Sequence, residues 1–243
     1  MILKTKLEIS KLLCKRAIKE FGNDHIAIAS SGGKDSMLIT EIYKRALKEE
    51  SPYQKPIIVH ADTKIQPKGT VEFLKENSEC NNCDLSICNP LISYGKCVKK
   101  YGLPGIRNID SKSHNEPYCC KYLKNLPADN LYKEMNIKCI IIGLTKSESH
   151  NRRMYLGRCG DYYHAKIKDR TQVYPIAEYS LNEVWLAHDL YNIEIHPFYS
   201  EFPTHRLGCL PCTSYIDWKS NMPLESPKWY KWTINYINKM KGI

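Results

Sequence analysis

The stretch from His25 to Tyr43 constrains the chain more than any other. A short apolar run, His25-Ile26-Ala27-Ile28-Ala29-Ser30, passes through Ser31-Gly32-Gly33-Lys34-Asp35-Ser36 into Met37-Leu38-Ile39-Thr40-Glu41-Ile42-Tyr43. The apolar residues of the last segment recur at helical spacing, so the stretch reads as strand, glycine turn and helix. Two adjacent glycines let the backbone approach a ligand that a Cβ would repel. The N–H groups that open the helix are unpaired and carry the positive end of its dipole. With the Lys34 ammonium and the hydroxyls of Ser31 and Ser36, such a turn can seat a phosphate or pyrophosphate. The plainer alternative is a serine-glycine turn with no ligand.

The spacing excludes a Walker A loop, which needs four residues between its first glycine and the Gly-Lys pair, whereas Gly32 and Gly33 are adjacent. The Ser31-to-Ser36 string resembles instead the PP-loop of the N-type ATP pyrophosphatases. That resemblance implies cleavage of ATP between its α and β phosphates and use of the adenylyl group to activate a substrate. A chain of 243 residues has room for one large α/β domain, or for one domain with a small appendage. No segment has the uninterrupted apolar length of a membrane span, and charge interrupts the first residues too early for a signal peptide. A cytoplasmic location without a membrane partner is therefore expected. In a reducing compartment the eleven cysteines point to metal ligation, catalysis or burial rather than to disulfides. The net charge of +10 favours a polyanionic partner, although nucleotide sites also collect lysine and arginine.

Before the first strand, Leu7, Ile9, Leu12, Leu13, Ala17 and Phe21 mark an amphipathic helix over 5–21, with Cys14 as a core contact. A second strand at 56–60 ends in Ala61-Asp62-Thr63. Carboxyl ends of parallel strands hold ligands, which places Asp62 and Thr63 at the nucleoside. Pro67 suits the first turn of a helix from Lys68 to about Glu79. The knuckle spacing of Cys80 and Cys83, with Cys88 and Cys97 beyond, invites a zinc reading. Burial fits better, because 83–88 reads as a third strand with Cys83, Leu85 and Ile87 on one face and Cys88 on the other. Residues 102–118 read as a long loop rich in turn formers. A fourth strand at 139–144 leads into Ser149, Arg152 and Arg153, which either hold phosphate or sulfate or form a solvated basic helix start. Ser180-Leu181-Asn182-Glu183 is a capping box. Cys209-x-x-Cys212 has the spacing of a metal-ligand pair or a redox pair.

Together, 31–36, His60-Ala61-Asp62-Thr63, Cys119-Cys120 with Lys124 and Pro127, Gly143, Glu148-Ser149, Arg152 and Gly208-Cys209-x-x-Cys212-Thr213 follow the order seen in the phosphoadenosine phosphosulfate (PAPS) reductase family. In its iron-sulfur members, the adenosine phosphosulfate reductases, a Cys-Cys pair and a later Cys-x-x-Cys hold a [4Fe-4S] cluster. The resemblance thus implies Cys119, Cys120, Cys209 and Cys212 as ligands, with zinc or no metal as alternatives. It implies Ser31, Gly32, Gly33, Lys34, Asp35, Ser36, Asp62, Thr63, Gly143, Ser149, Arg152 and Arg153 as nucleotide contacts, and Lys34, Asp35 and Arg152 as catalytic residues, with ATP and Mg²⁺ as cofactors. Two departures separate this chain from the assimilatory reductases. No cysteine follows Cys212, where those enzymes carry a catalytic thiol in the tail, and the 31–36 loop is intact where theirs tends to be degenerate.

An intact loop beside cluster cysteines is similar to the PAPS-reductase-like ATP pyrophosphatases of DNA phosphorothioation systems, relatives of the tRNA-thiolating enzymes. That likeness implies adenylation coupled to sulfur transfer onto nucleic acid, with a cysteine desulfurase or other sulfur donor as partner, in a homo-oligomer or complex. The alternatives are a PAPS or adenosine phosphosulfate reductase, and a non-catalytic nucleotide- and cluster-binding subunit. Between 218 and 243, Trp218, Trp229, Tyr230, Trp232 and Tyr236 alternate with lysines, either as platforms for bases or as the docking face of an amphipathic helix. The fold expected is α/β, HUP or Rossmann-like. It has a mostly parallel five-strand sheet with helices on both faces over 1–200, plus a cluster-binding region and tail over 201–243.

Overall fold

The computed structural model describes residues 2–105, 117–202, 204, 206–215 and 217–242. Most of the long loop expected at 102–118 lies outside these residues, as does His205. The first helix, α1 (Leu3–Phe21), buries Leu7, Cys14, Ala17 and Ile18 and leads into β1 (Ile26–Ala29). There follow α2 (Lys34–Glu50), β2 (Ile57–Ala61), α3 (Thr70–Cys80), β3 (Asp84–Cys88) and α4 (Tyr94–Tyr101). Helix α3 starts at Thr70, two residues later than the sequence suggests, because Gly69 sits at φ +78° and interrupts the helical run from Pro67.

Past the undescribed segment, α5 (Tyr118–Cys120) runs through a π-helical turn (Lys121–Asn125) into α6 (Leu126–Glu134). Pro127 accounts for the wide turn: it has no N–H to offer the carbonyl of Leu123, and its ring would collide with that carbonyl in a regular helix. The chain continues through β4 (Cys139–Ile142), α7 (His150–Cys159), β5 (Tyr162–Ala165), β6 (Arg170–Val173) and α8 (Leu181–Tyr191). The last helices are α9 (Phe198–Glu201), α10 (Trp218–Glu225) and α11 (Pro227–Lys241). Helix α8 opens with the capping box expected at Ser180 and Glu183.

Among the described residues the sheet has six strands rather than five, in the order β3-β2-β1-β4-β6-β5. The ladders from β2 through β1 and β4 to β6 are parallel, and β5 closes one edge antiparallel to β6. Ile26, Ile28, Cys139 and Ile141 join one core with α1, α2 and α8, while Ala27 and Ile140, which point the other way, are also buried. Burial on both faces is the rule for parallel strands and explains their continuous apolar composition. The order reverses between β1 and β4, so the carboxyl ends of these two strands form the switch point where open α/β sheets bind ligands.

The chain divides into two compact units that interleave in sequence. One comprises 1–60, 70–87 and 129–196; the other comprises 61–69, 88–128 and 197–243 and includes the expected carboxyl-terminal region.

Candidate functional site

In the first unit, the turn after β1 carries the loop Ser30 to Ser36. Gly32 adopts φ +76°, a conformation that a side chain would strain, and Gly33 is the N-cap of α2. Three successive amides are gathered inside the turn. Ser31 N–H donates to Ser36 Oγ at 3.2 Å, Gly32 N–H to Ser30 Oγ at 3.3 Å and Gly33 N–H to Ser31 Oγ at 3.3 Å. These are long bonds to small hydroxyls, which an incoming phosphate oxygen can replace with shorter, charge-assisted ones. Ser36 is fixed in turn by donating to Gly33 O at 2.8 Å.

Two buried histidines hold the loop through its carbonyls: His60, which the family string includes without a stated role, and His188, which the sequence reading did not single out. His60 Nδ1 donates to Ser30 O at 2.8 Å and His188 Nε2 donates to Lys34 O at 2.7 Å. A carbonyl only accepts, so each contact fixes which ring nitrogen carries the proton. Burial also pushes the His188 pKa below its ordinary value, keeping the ring neutral. Only its separation from the loop in sequence hid His188; no local signal would have found it.

Gly143, at the carboxyl end of β4, contributes by what it lacks. A Cβ there would lie 2.8 Å from both Asp35 C and Asp35 O and 3.1 Å from Ser36 N. The nearest strand end thus presses directly on the first turn of α2. The Lys34 side chain is only 2% exposed, and its ammonium lies 2.6 Å from Asp35 Oδ2. Burying an ammonium demands such a partner. Ser149 caps α7 by accepting from Arg152 N–H at 3.2 Å, Arg152 pairs with Glu148, and Arg153 is exposed. These three residues therefore make a well-formed helix start, with both Ser149 and Arg152 engaged within it.

The second unit contains Cys119, Cys120, Cys209 and Cys212. Asp62 is buried in a tight turn in which Lys64, at φ 61°, donates its backbone N–H to Asp62 Oδ1 at 3.0 Å and its ammonium to Asp62 Oδ2 at 2.5 Å. Thr63 Oγ1 lies 3.5 Å from Cys209 Sγ, and Leu210 N–H donates to Ile65 O at 2.8 Å, so the Cys-x-x-Cys loop is strapped to residues 63–65. Thr213 Oγ1 donates to Pro104 O from the same loop.

Cys119, Cys120, Cys209 and Cys212 lie within electrostatic reach of one another. The Cys119 thiol is pushed up by its hydrogen bond with Cys120 and then by burial; burial raises Cys209, and it raises Cys212 to about 11. Four thiols that oppose each other's ionisation share one small volume, the condition that a bound cationic centre relieves. Cys119 and Cys209 pack against the apolar core that includes Ile65, Tyr94, Leu103 and Leu123. Among the described residues, no three or more Cys, His, Asp or Glu side chains stand close enough together to hold a single metal ion. A four-iron cube takes four thiolates and sets them farther apart than one ion does, so four cysteines that form no single-ion site are still a donor set of the kind such a cluster takes. Cys80 is exposed, Cys83 is half-buried on the first unit, and Cys88 and Cys97 are buried in the second; they form no ligand group.

The tail aromatics pack inward. Trp229, Trp232 and Tyr236 dock α11 on the core of the second unit, and Tyr236 donates its hydroxyl to Val98 O at 3.0 Å. Lys228, Lys231, Lys239 and Lys241 are exposed. The docking-face alternative is the one observed, and Trp229, Trp232 and Tyr236 are not open platforms for bases.

The family model described as phosphoadenosine phosphosulfate reductase domain matches residues 25–215. An adenosine 5'-phosphosulfate reductase of Bacillus cytotoxicus is 25% identical over 199 residues, 81% of this chain and 76% of that protein. Among solved structures, the phosphoadenylyl-sulfate reductase of Candida auris in its phosphate complex aligns with TM-score 0.59 at 14% identity, covering 82% of this chain and 87% of its own. The U34-tRNA thiolase of Methanococcus maripaludis with its [4Fe-4S] cluster aligns with TM-score 0.55 at 14% identity, covering 98% and 80%. At these identities the structural likeness establishes the α/β fold.

Proposed function

Because the chain belongs to the phosphoadenosine phosphosulfate reductase domain family, we propose that it is an ATP pyrophosphatase that adenylates an acceptor for sulfur transfer, with nucleic acid as the acceptor. DNA phosphorothioation or nucleic-acid thiolation is the process this reading favours. One observation carries it: three consecutive loop amides converge on serine hydroxyls that phosphate oxygens can replace. A sulfonucleotide substrate has no pyrophosphate to lose and gives no reason to keep that arrangement.

In this reading a proton-free acceptor oxygen, of a phosphodiester or a nucleobase carbonyl, attacks the α-phosphorus of ATP. The α–β anhydride bond breaks and pyrophosphate leaves with the electron pair. The amides of Ser31, Gly32 and Gly33 and the ammonium of Lys34 receive that charge, and donors preset where charge develops lower the barrier without reorganising. His60 and His188 hold the flanking carbonyls outward, keeping the amides aimed into the loop. The terminal sulfur of a persulfide R–S–S⁻, supplied by a cysteine desulfurase or similar partner, then attacks the adenylated centre; the new bond to sulfur forms and AMP departs with the electron pair, and a thiol reductant then cleaves the remaining S–S bond, leaving sulfur on the acceptor and a disulfide on the donor side. Asp35 is the carboxylate of the loop suited to a bound Mg²⁺. Ser149 and Arg152 would help hold the nucleotide if Glu148 releases Arg152. Cys119, Cys120, Cys209 and Cys212 would hold a [4Fe-4S] cluster, which when bound supplies electron-transfer or sulfur-binding capacity.

The test uses anaerobically purified protein. Pyrophosphate and AMP are measured from ATP and Mg²⁺ with single-stranded DNA or tRNA, beside Lys34→Met, which keeps the buried aliphatic stem. Release by the wild type and its loss in the variant support the reading; no release from the wild type refutes it. The reductase alternative draws on the Bacillus cytotoxicus relative, and sulfite released from adenosine phosphosulfate with a thiol would favour it instead.

A further inference from the structure

Three tyrosines of the second unit stack mutually, each ring near-parallel to the other two. Tyr101 ends α4, Tyr118 opens α5 and Tyr122 lies in the π-helical turn. The rings of Tyr101 and Tyr118 stack at 4.1 Å and 17°, those of Tyr101 and Tyr122 at 5.5 Å and 12°, and those of Tyr118 and Tyr122 at 6.4 Å and 14°. Elsewhere in the same unit, Tyr94 and Trp229 meet at 89° and Trp229 and Trp232 at 84°, edge to face, and Trp232 and Tyr236 stack as a single pair at 20°; the tyrosines differ in forming a stacked set of three. The tyrosine rings are half-buried, resting on the core that includes Val98 and Leu123, so the parallel set borders solvent. The Tyr101 hydroxyl donates to that of Tyr122 at 3.3 Å and helps hold the planes together.

Cations border this set. Lys100 Nζ lies 5.2 Å from the Tyr101 ring and Lys121 Nζ 5.6 Å from the Tyr122 ring, and Lys99, Lys100 and Lys121 are exposed. Parallel rings prolong a stack for an incoming planar base, and ammonium groups beside them meet its phosphates. Tyr118 and Tyr122 also bracket Cys119-Cys120 in sequence, so a base stacked there is held beside the thiol site of the same unit. Tyr122 lies within the π-helical turn, and its ring stacks on that of Tyr101.

We propose that Tyr101, Tyr118 and Tyr122, flanked by Lys100 and Lys121, form a stacking platform for the unpaired bases of a single-stranded nucleic acid. The inference rests on the nucleic-acid acceptor of the function proposed above and deepens it: the acceptor is engaged as an unpaired strand, not as a duplex.

Fluorescence anisotropy with a labelled single strand of about twelve nucleotides, and with a hairpin duplex of the same composition, tests it. Stacking contributes about 1–3 kcal/mol per base, or roughly 5- to 150-fold in Kd. The wild type should prefer the single strand, and the double variant Tyr101→Leu, Tyr122→Leu, which keeps apolar packing, should lose at least about fivefold. Tyr101→Phe, Tyr122→Phe keeps the rings and should bind within about twofold of wild type. Lys100→Gln, Lys121→Gln should lower the salt slope of log Kd by about 1.4. Far-UV circular dichroism verifies folding. Equal affinity for the duplex, no binding by the wild type, leucine variants that bind normally, or phenylalanine variants that fail would each overturn the platform. Pyrophosphate release is read on the same samples. Tyrosine-dependent strand binding without release leaves the platform and removes adenylation, and release without strand binding does the reverse.

Discussion

Replacing Gly143 with alanine tests how closely the loop geometry is tied to the sheet. The added Cβ would sit 2.8 Å from Asp35 C and O, against about 3.4 Å for ordinary contact, so the two backbones must separate by about 0.6 Å. No flexible side chain stands there to yield; the obstacle is the main chain of the first turn of α2. Overpacking of this kind costs about 1–3 kcal/mol. Moving donors by a fraction of an ångström against a transition state costs up to about 100-fold in rate. Gly143→Ala should therefore lower stability by about 1–3 kcal/mol in urea denaturation and reduce kcat for pyrophosphate release by about 10- to 100-fold. Gly157→Ala is the matched control, because Gly157 lies within α7 with nothing within 4 Å of an added Cβ; it should gain about 1 kcal/mol and leave release unchanged. If Gly143→Ala matches wild type in both assays, the contact does not set the loop, and the case for an imposed loop geometry fails.

Other perturbations address the supports of each unit. Arg170 is 3% exposed and its guanidinium lies 3.1 Å from Asp129 Oδ1, so Asp129→Asn, which leaves that charge unpaired, should cost about 3–5 kcal/mol in chemical denaturation. Burial depresses the pKa of His188, so as pH falls below about 6.5 the unfolded chain takes up a proton that the folded ring refuses. Stability should then decline by up to about 1.4 kcal/mol per pH unit until the folded-state pKa is reached, and His188→Gln should remove that share of the slope in denaturation measured between about pH 7.5 and 5.5. Cys120→Ser or Cys209→Ser, purified anaerobically, should lose most of the iron and sulfide found in the wild type. Retention of both in either variant would remove that residue from the ligand set.

The strands at β1, β2 and β4 were legible because an interior parallel strand buried on both faces must be largely apolar, and theirs are; β3, an edge strand, was legible from its alternation instead. Strands β5 and β6 were not. Tyr162-Tyr163-His164-Ala165 lies on an edge, and Arg170-Thr171-Gln172-Val173 reads as polar although Arg170 and Thr171 are buried. Their polarity is tolerated because Arg170 finds Asp129, 41 residues away, and Thr171 Oγ1 lies 3.3 Å from His164 Nδ1, partnerships that no local window reveals. The tail was ambiguous for a related reason: aromatic residues at helical spacing look alike whether they meet a core or a base, and only the docking of α11 separates the two.

The phosphate loop shows the same division between chemistry and support. Its serines, glycines and lysine act through neighbouring atoms, so six adjacent letters suffice to name them. The orientation of its peptide dipoles depends on distant groups. His60 takes the carbonyl of Ser30, His188 takes that of Lys34, and Gly143 gives way to the backbone of Asp35. With the carbonyls of Ser30 and Lys34 both engaged by these histidines, neither is left to point at an anion held by the loop amides, which it would repel. A loop with the same six residues but without these three contacts could turn a carbonyl toward the phosphate and repel it. In the function proposed above, phosphate affinity would be encoded partly at positions 60, 143 and 188. Single substitutions there should weaken ATP binding, measured by isothermal titration calorimetry, even though these residues act on the loop backbone rather than on the nucleotide itself.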